Sequence, residues 1–217
     1  MSSPAPDAVR TSPRSAGRPG TQLLPPATGT WWLALVAALF AGAQLAFVAP
    51  RLGLSWDEVV YVSQVTGHAP AAYFDPARAR GVTLLVAPAT LLTSSVLAMR
   101  IGLAVASGLA LFLSLLSWRG LRPGWLLALA GAAFGCLWVA QYYGPQAMPD
   151  EWVAFAALAA VGFFLRVVRA FPAPVLGPLA GLAGCLAVAA LLRPGDAVFL
   201  AAALAGAVLV VRAWRCW

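Results

Sequence analysis

Residues 81–99, GVTLLVAPATLLTSSVLAM, decide how this chain sits in a membrane. The run is apolar, yet it holds Pro88 and the cluster Thr93-Ser94-Ser95. Arg100 follows at once, with a second apolar run, Ile101 to Trp118, behind it. If 81–99 crossed the bilayer, every later loop would change sides and the Arg-rich turns would face outward. If it packs as a re-entrant or juxtamembrane helix, Arg119, Arg122, Arg166, Arg169, Arg212 and Arg215 join the Arg-bearing N-terminal tail inside. Asp57, Glu58, Asp75, Asp150, Glu151 and Asp196 then fall outside. Only the second arrangement keeps cationic loops on one side throughout, as orientation by basic residues requires. A non-spanning helix at membrane depth must be covered by protein, because lipid cannot satisfy its freed backbone groups.

Composition supports a membrane setting. The 217 residues are 62% hydrophobic and 10% charged, well away from a soluble domain. Mean hydropathy is +0.85. Apolar runs at Trp31–Ala49, Ile101–Trp118, Trp125–Ala140, Trp152–Leu165, Val175–Leu192 and Ala197–Val211 are candidate spans. The expectation is an all-α, polytopic transmembrane bundle of about six spans plus one re-entrant or juxtamembrane helix. Residues 1–30, rich in Pro, Ser, Gly and Arg, read as a disordered cytoplasmic tail. Residues 31–217 form the membrane module, with an outer loop at 50–80. The first span reads as retained rather than as a cleaved signal. The expected location is the plasma membrane, multi-pass, with a cytoplasmic N-terminus.

The net charge of +7 carries no basic patch interleaved with exposed aromatics, so nucleic acid is not an expected partner. Cys136, Cys185 and Cys216 form no C-x-x-C or Cys/His cluster, and His68 has no partner at helical spacing. Neither a zinc site nor a disulfide framework follows.

The chemistry concentrates in the outer loop, where Trp56-Asp57-Glu58 precedes Tyr61. Adjacent carboxylates beside a bilayer are costly to keep ionised without water, a cation or a proton to handle. They also suit the start of a short interfacial helix over Glu58–Gly67, with Ser55 or Asp57 as its cap. Asp150-Glu151 and Asp196 add two more acidic positions on the same side, and Arg51, Arg78, Arg80, Arg100 and Arg193 lie with them. Acids at 150 and 151 equally favour the N-terminus of the helix they open. A charge-dense outer site above an apolar bundle suits a polar group attached to a lipid.

The order of these features resembles the amino-terminal membrane module of the GT-C superfamily of glycosyltransferases. It is most similar to the protein mannosyltransferase and aminoarabinose transferase types. The features are a first span, Trp56-Asp57-Glu58 with Tyr61, the Pro-containing stretch near Arg80 to Leu92, Arg100, residues 145–151 (PQAMPDE) and Arg193-Pro194-Gly195. The resemblance covers about residues 31–212. It implies transfer of a sugar from a polyprenyl-phosphate donor to an acceptor at the outer face. Asp57, with Glu58 beside it, is the implied catalytic carboxylate, and Asp150 matches the acidic position after the family's fourth helix. An inverting transfer needs one carboxylate to take the acceptor's proton. The phosphate leaving group needs cations, for which the planar arginine fork is suited. Arg78, Arg80, Arg100 and Arg193, together with Asp150, Glu151 and Tyr61, are the expected substrate-binding set.

No cofactor is demanded, although a divalent ion between Asp57 and Asp150 stays open. The chain ends after its last apolar run, where family members usually continue. A truncated or non-catalytic paralogue, or a partner subunit supplying further helices, is therefore the alternative expectation. A transporter would place polar residues near span centres, and Gln44, Ser107 and Ser114 are nearly all there are.

Overall fold

The computed structural model describes residues 29–67, 69–170 and 175–215. The tail before residue 29, His68, Cys216 and the side chains of Arg212 and Arg215 lie outside what is described. The regular elements among the described residues are all helices; the one β contact is an isolated bridge between Arg119 and Arg122. Three helices are long and apolar enough to cross a membrane: Thr30–Arg51, Val96–Leu116 and Pro149–Ala170.

The first of these, α1, begins as a regular helix over Thr30–Ala43, widens to a π turn over Gln44–Val48 and tightens to a 3₁₀ turn over Ala49–Arg51. Leu33, Ala37, Phe40 and Gln44 are buried at helical spacing, and the next buried position is Ala49, five residues on. The wide turn absorbs that extra residue. Arg51 then donates back to the carbonyls of Ala46 and Phe47, which the changing pitch leaves free.

Helix α2, Trp56–Ser63, is shorter than the expected Glu58–Gly67 and starts earlier. Helix α3, Gly81–Leu92, occupies the first twelve residues of the ambiguous segment. Its twelve residues reach about 18 Å, well short of a hydrocarbon core of about 30 Å. The Thr-Ser-Ser cluster ends it and starts the next helix. The Thr93 hydroxyl accepts from the Ser95 amide, and Ser95 caps α4, Val96–Leu116, by accepting from the Ala98 amide. Arg100 consequently lies inside α4 rather than ahead of it.

The expected span at Trp125–Ala140 divides into α5, Gly124–Gly135, and α6, Trp138–Tyr143. The Gln141 side chain donates to the Gly135 carbonyl at 2.6 Å, satisfying an acceptor freed by the break. Helix α7 is Pro149–Ala170, α8 is Leu176–Leu192 and α9 is Pro194–Arg215.

Side-chain pairings give the helix directions. Ser107 on α4 donates to Gln44 on α1 at 3.0 Å, while Leu115 and Val36 both abut Gly131 of α5. Helices α1 and α4 are therefore antiparallel. Ser114 donates to the Phe155 carbonyl at 2.9 Å and the Trp118 indole to the Leu158 carbonyl at 3.0 Å, so α4 and α7 run parallel. The rings of Phe40, Phe134 and Phe155 meet at centroid distances of 5.7 to 6.4 Å, joining α1, α5 and α7 in the core. Gly131 and Gly181 lie against Leu115 and Phe163, where a Cβ would stand 2.6 and 2.7 Å away. Gly102 and Gly184 face open space.

The result is a bundle with two chemically distinct ends. The acid end carries α2, the start of α7 and the α8–α9 junction. The arginine end carries Arg119, Arg122, Arg166 and Arg169. Gly81 at the start of α3 packs on the Leu191 carbonyl near the end of α8, and Leu92 at its other end is three residues from the start of α4. Both ends of α3 therefore lie toward the acid end.

Candidate functional site

Ser55 and Glu58 form a reciprocal capping box at the start of α2, with the Glu58 carboxylate accepting from the Ser55 amide at 2.9 Å. Asp57 and Glu58 are neighbours in sequence but stand about 100° apart around the helix. Their surroundings differ accordingly. Glu58 is fully buried, and Asp57 is partly exposed.

Glu58 meets Arg100, whose side chain is also fully buried. The guanidinium pairs with both carboxylate oxygens, at 2.8 Å for Nη2 to Oε2. It also donates to the carbonyls of Gly53 and Pro145, the latter at 2.8 Å. The Ala147 amide donates to Glu58 at 2.7 Å. Burial alone would push the Glu58 carboxyl up. The Arg100 hydrogen bond and the amides of Ser55 and Ala147 outweigh burial and hold it below its ordinary value. Residues 53, 58, 100, 145 and 147 thus form one interior network that ties α2, α4 and the approach to α7 together, with the Arg100 Nε alone left without a partner among the described residues.

That network positions an open cleft of about 280 Å³. Asp57 and Tyr61, one turn apart, face it from α2; Arg78 enters from the loop before α3; Asp150 opens α7; Arg193 is the single residue between α8 and α9. Asp57 accepts from Arg78 at 2.6 Å, and the guanidinium stands 5.5 Å from the centre of the Tyr61 ring. The Asp57 hydrogen bond, with a smaller contribution from Tyr61, raises the Arg78 pKa, so its charge is permanent. Asp150 accepts from Arg193 at 2.6 Å, and Asp196 approaches Arg193 at 3.5 Å. All four paired groups keep roughly a third to a half of their side-chain exposure. Two cations and two carboxylates therefore face one water-accessible space.

The cleft adjoins a larger apolar groove of about 800 Å³ between α3, α4, α7 and α8. Leu192 lines both. Along α7 the groove runs from Trp152 to Arg166, about 21 Å at helical rise.

Of the residues singled out by sequence, Asp57, Tyr61, Arg78, Asp150 and Arg193 come together on the cleft. Glu58 and Arg100 are joined instead in the interior network, with no surface open to a ligand. Arg80 is exposed at the start of α3, its guanidinium 5.9 Å from the Phe74 ring, and does not line the cleft. Glu151 is buried, and neither of its carboxyl oxygens has a partner among the described residues. Asp196 was an acidic position without an assigned role; its i,i+3 spacing from Arg193 was the readable signal. Met148 and Pro149, within the 145–151 stretch, also line the cleft, as does Leu192, which no sequence signal marked.

Asp57 and Asp150 are each occupied by an arginine, and no group of three or more His, Cys, Asp or Glu side chains is gathered for a metal among the described residues. Comparison of the chain with family models, with curated proteins and with solved structures gives no match.

Proposed function

We propose that this chain is a membrane glycosyltransferase that moves a sugar from a polyprenyl-phosphate donor to an acceptor at the outer face, within a bundle of about six spans. The arginine end faces the cytoplasm, with the N-terminal tail, in a plasma membrane. The observation that carries the reading is a doubly cationic cleft and an apolar groove that share Leu192 in their walls. A lipid-linked phosphosugar has the matching two-part chemistry. Arg78 and Arg193 bind the phosphate, and the adjoining outer half of the groove receives the start of the carrier chain. Asp57 takes the proton of the acceptor hydroxyl or amine as it attacks the anomeric carbon. The carrier phosphate leaves as an anion held by the two guanidinium groups, so no acid is required to protonate it. Donor phosphate entering the cleft competes for Arg78 and releases Asp57 to act as base.

Glycosyl transfer in membranes containing this chain, supplied with polyprenyl-phosphate sugars, tests the reading. Transfer by the wild type that is lost in Asp57→Asn at equal expression supports it. Absence of transfer with every donor supports a second reading, a non-catalytic membrane subunit or paralogue that works with a partner chain. One observation favours that second reading: Asp57 and Asp150 are both engaged in short ion pairs, as in a scaffold.

A further inference from the structure

The arginine end of the groove presents a separate problem of charge. Arg119, Arg122, Arg166 and Arg169 converge there, and none pairs with a carboxylate among the described residues. At the acid end, by contrast, Arg78, Arg100 and Arg193 each have one. Arg166 is the member that lines the groove. Its Nη2 donates to the carbonyls of Leu116 and Arg119, at 3.3 and 2.6 Å, which fixes the guanidinium against the end of α4. Its Nε is buried with no partner. These carbonyls orient the group but leave its charge uncompensated.

The rest of the groove is hydrocarbon in character and narrow. Gly181, Gly184, Ala156 and Ala159 hollow out the facing surfaces of α7 and α8. The groove offers about 800 Å³, room for an acyl chain.

We infer that the inner half of the α4–α7–α8 groove is a binding site for an anionic phospholipid of the cytoplasmic leaflet, with its phosphate on Arg166 and one acyl chain along Gly184. Arg119 supplies the second cation. Anionic lipids concentrate in that leaflet, and basic pockets between membrane helices recognise their headgroups. The inference takes the arginine end as cytoplasmic but does not depend on sugar transfer, which concerns the opposite end of the groove.

The test uses the full chain in detergent micelles, reading the thermal unfolding midpoint as phosphatidylglycerol, phosphatidylcholine of the same acyl chains, or inorganic phosphate is added. Phosphatidylglycerol raises the midpoint at concentrations where the other two do not. Arg166→Gln weakens this response roughly tenfold or more, as loss of a charged hydrogen-bond donor should. Arg122→Gln, at an exposed arginine outside the groove, retains it. Gly184→Leu leaves every charge in place but fills the groove, and also removes the response; a Cβ there meets no neighbour within 4 Å, and the lipid-free unfolding midpoint of the variant checks that it folds. Equal stabilisation by both lipids, an equal effect of inorganic phosphate, or equal losses in Arg122→Gln and Arg166→Gln would each overturn the site.

Discussion

Glu58 and Arg100, forty-two positions apart, form a fully buried ion pair whose remaining hydrogen bonds go to backbone at Gly53, Ser55, Pro145 and Ala147. Removing one partner strands a charge where water cannot reach. Arg100→Leu or Glu58→Leu should each destabilise the chain by about 3–5 kcal/mol, whereas the double Leu variant should recover most of the loss. Unfolding in detergent, followed by circular dichroism, measures the cycle. Losses that simply add would mean the pair carries no coupling.

The same pair sets an acid sensitivity. The folded-state pKa of Glu58 is depressed below its ordinary 4.5. Its contribution to stability is therefore complete above about pH 4.5 and is lost as pH falls through the lower folded value. The unfolding midpoint of the wild type should decline through that window. Glu58→Gln, which cannot titrate, should show a shallower decline from a lower starting point.

Two glycines separate packing from propensity. A Cβ at Gly81 would collide with the Leu191 carbonyl, which is backbone and cannot turn aside. Gly81→Ala should cost about 1–3 kcal/mol by forcing α3 away from α8. Gly102, inside α4, faces open space, and Gly102→Ala should gain about 0.5–1 kcal/mol from helix propensity alone. Midpoints for the two variants shifting in the same direction would contradict the packing.

Within the proposed transfer reaction, Asp57→Asn should lower the rate by about 10²–10⁴-fold, the usual range for a lost general base. Asp75→Asn should leave it unchanged, because Asp75 bonds its own turn at the Ala77 amide and does not line the cleft. Arg193→Gln should raise the apparent KM for the donor more than it lowers kcat. Initial rates across donor concentrations decide all three.

The helical, membrane-type character was legible in the composition, and charge sidedness was the reason to expect that 81–99 does not cross; the structure places there a twelve-residue helix, Gly81–Leu92. Its end at Leu92 was not anticipated: the apolar run continues to Met99, and only in the structure do the Thr93 and Ser95 hydroxyls take backbone amides and divide it. The break between α5 and α6 was not legible. Residues 124–140 are continuously apolar, and the partner that compensates the break, Gln141, is recognisable only once the chain has folded. In the site, Ser55 was one of two expected caps, its reciprocal bond with Glu58 emerged only in the structure, and nothing local announced Arg100 as Glu58's partner. Asp57 and Tyr61 share a face by helical spacing alone, whereas their meeting with Asp150 and Arg193 depends on tertiary packing.

The wide turn at Gln44–Val48 acts as a phase shifter in the first helix. Every residue added to or removed from a helix rotates all that follows by about 100°. Deleting one residue between 45 and 48 would restore a plain α-helical pitch and leave the chain's length almost unchanged. It would nevertheless turn the exit of α1, and with it the direction in which residues 52–57 set out. The azimuth at which Asp57 reaches the cleft is thus fixed a dozen residues earlier, inside the bundle, by a single extra residue of winding.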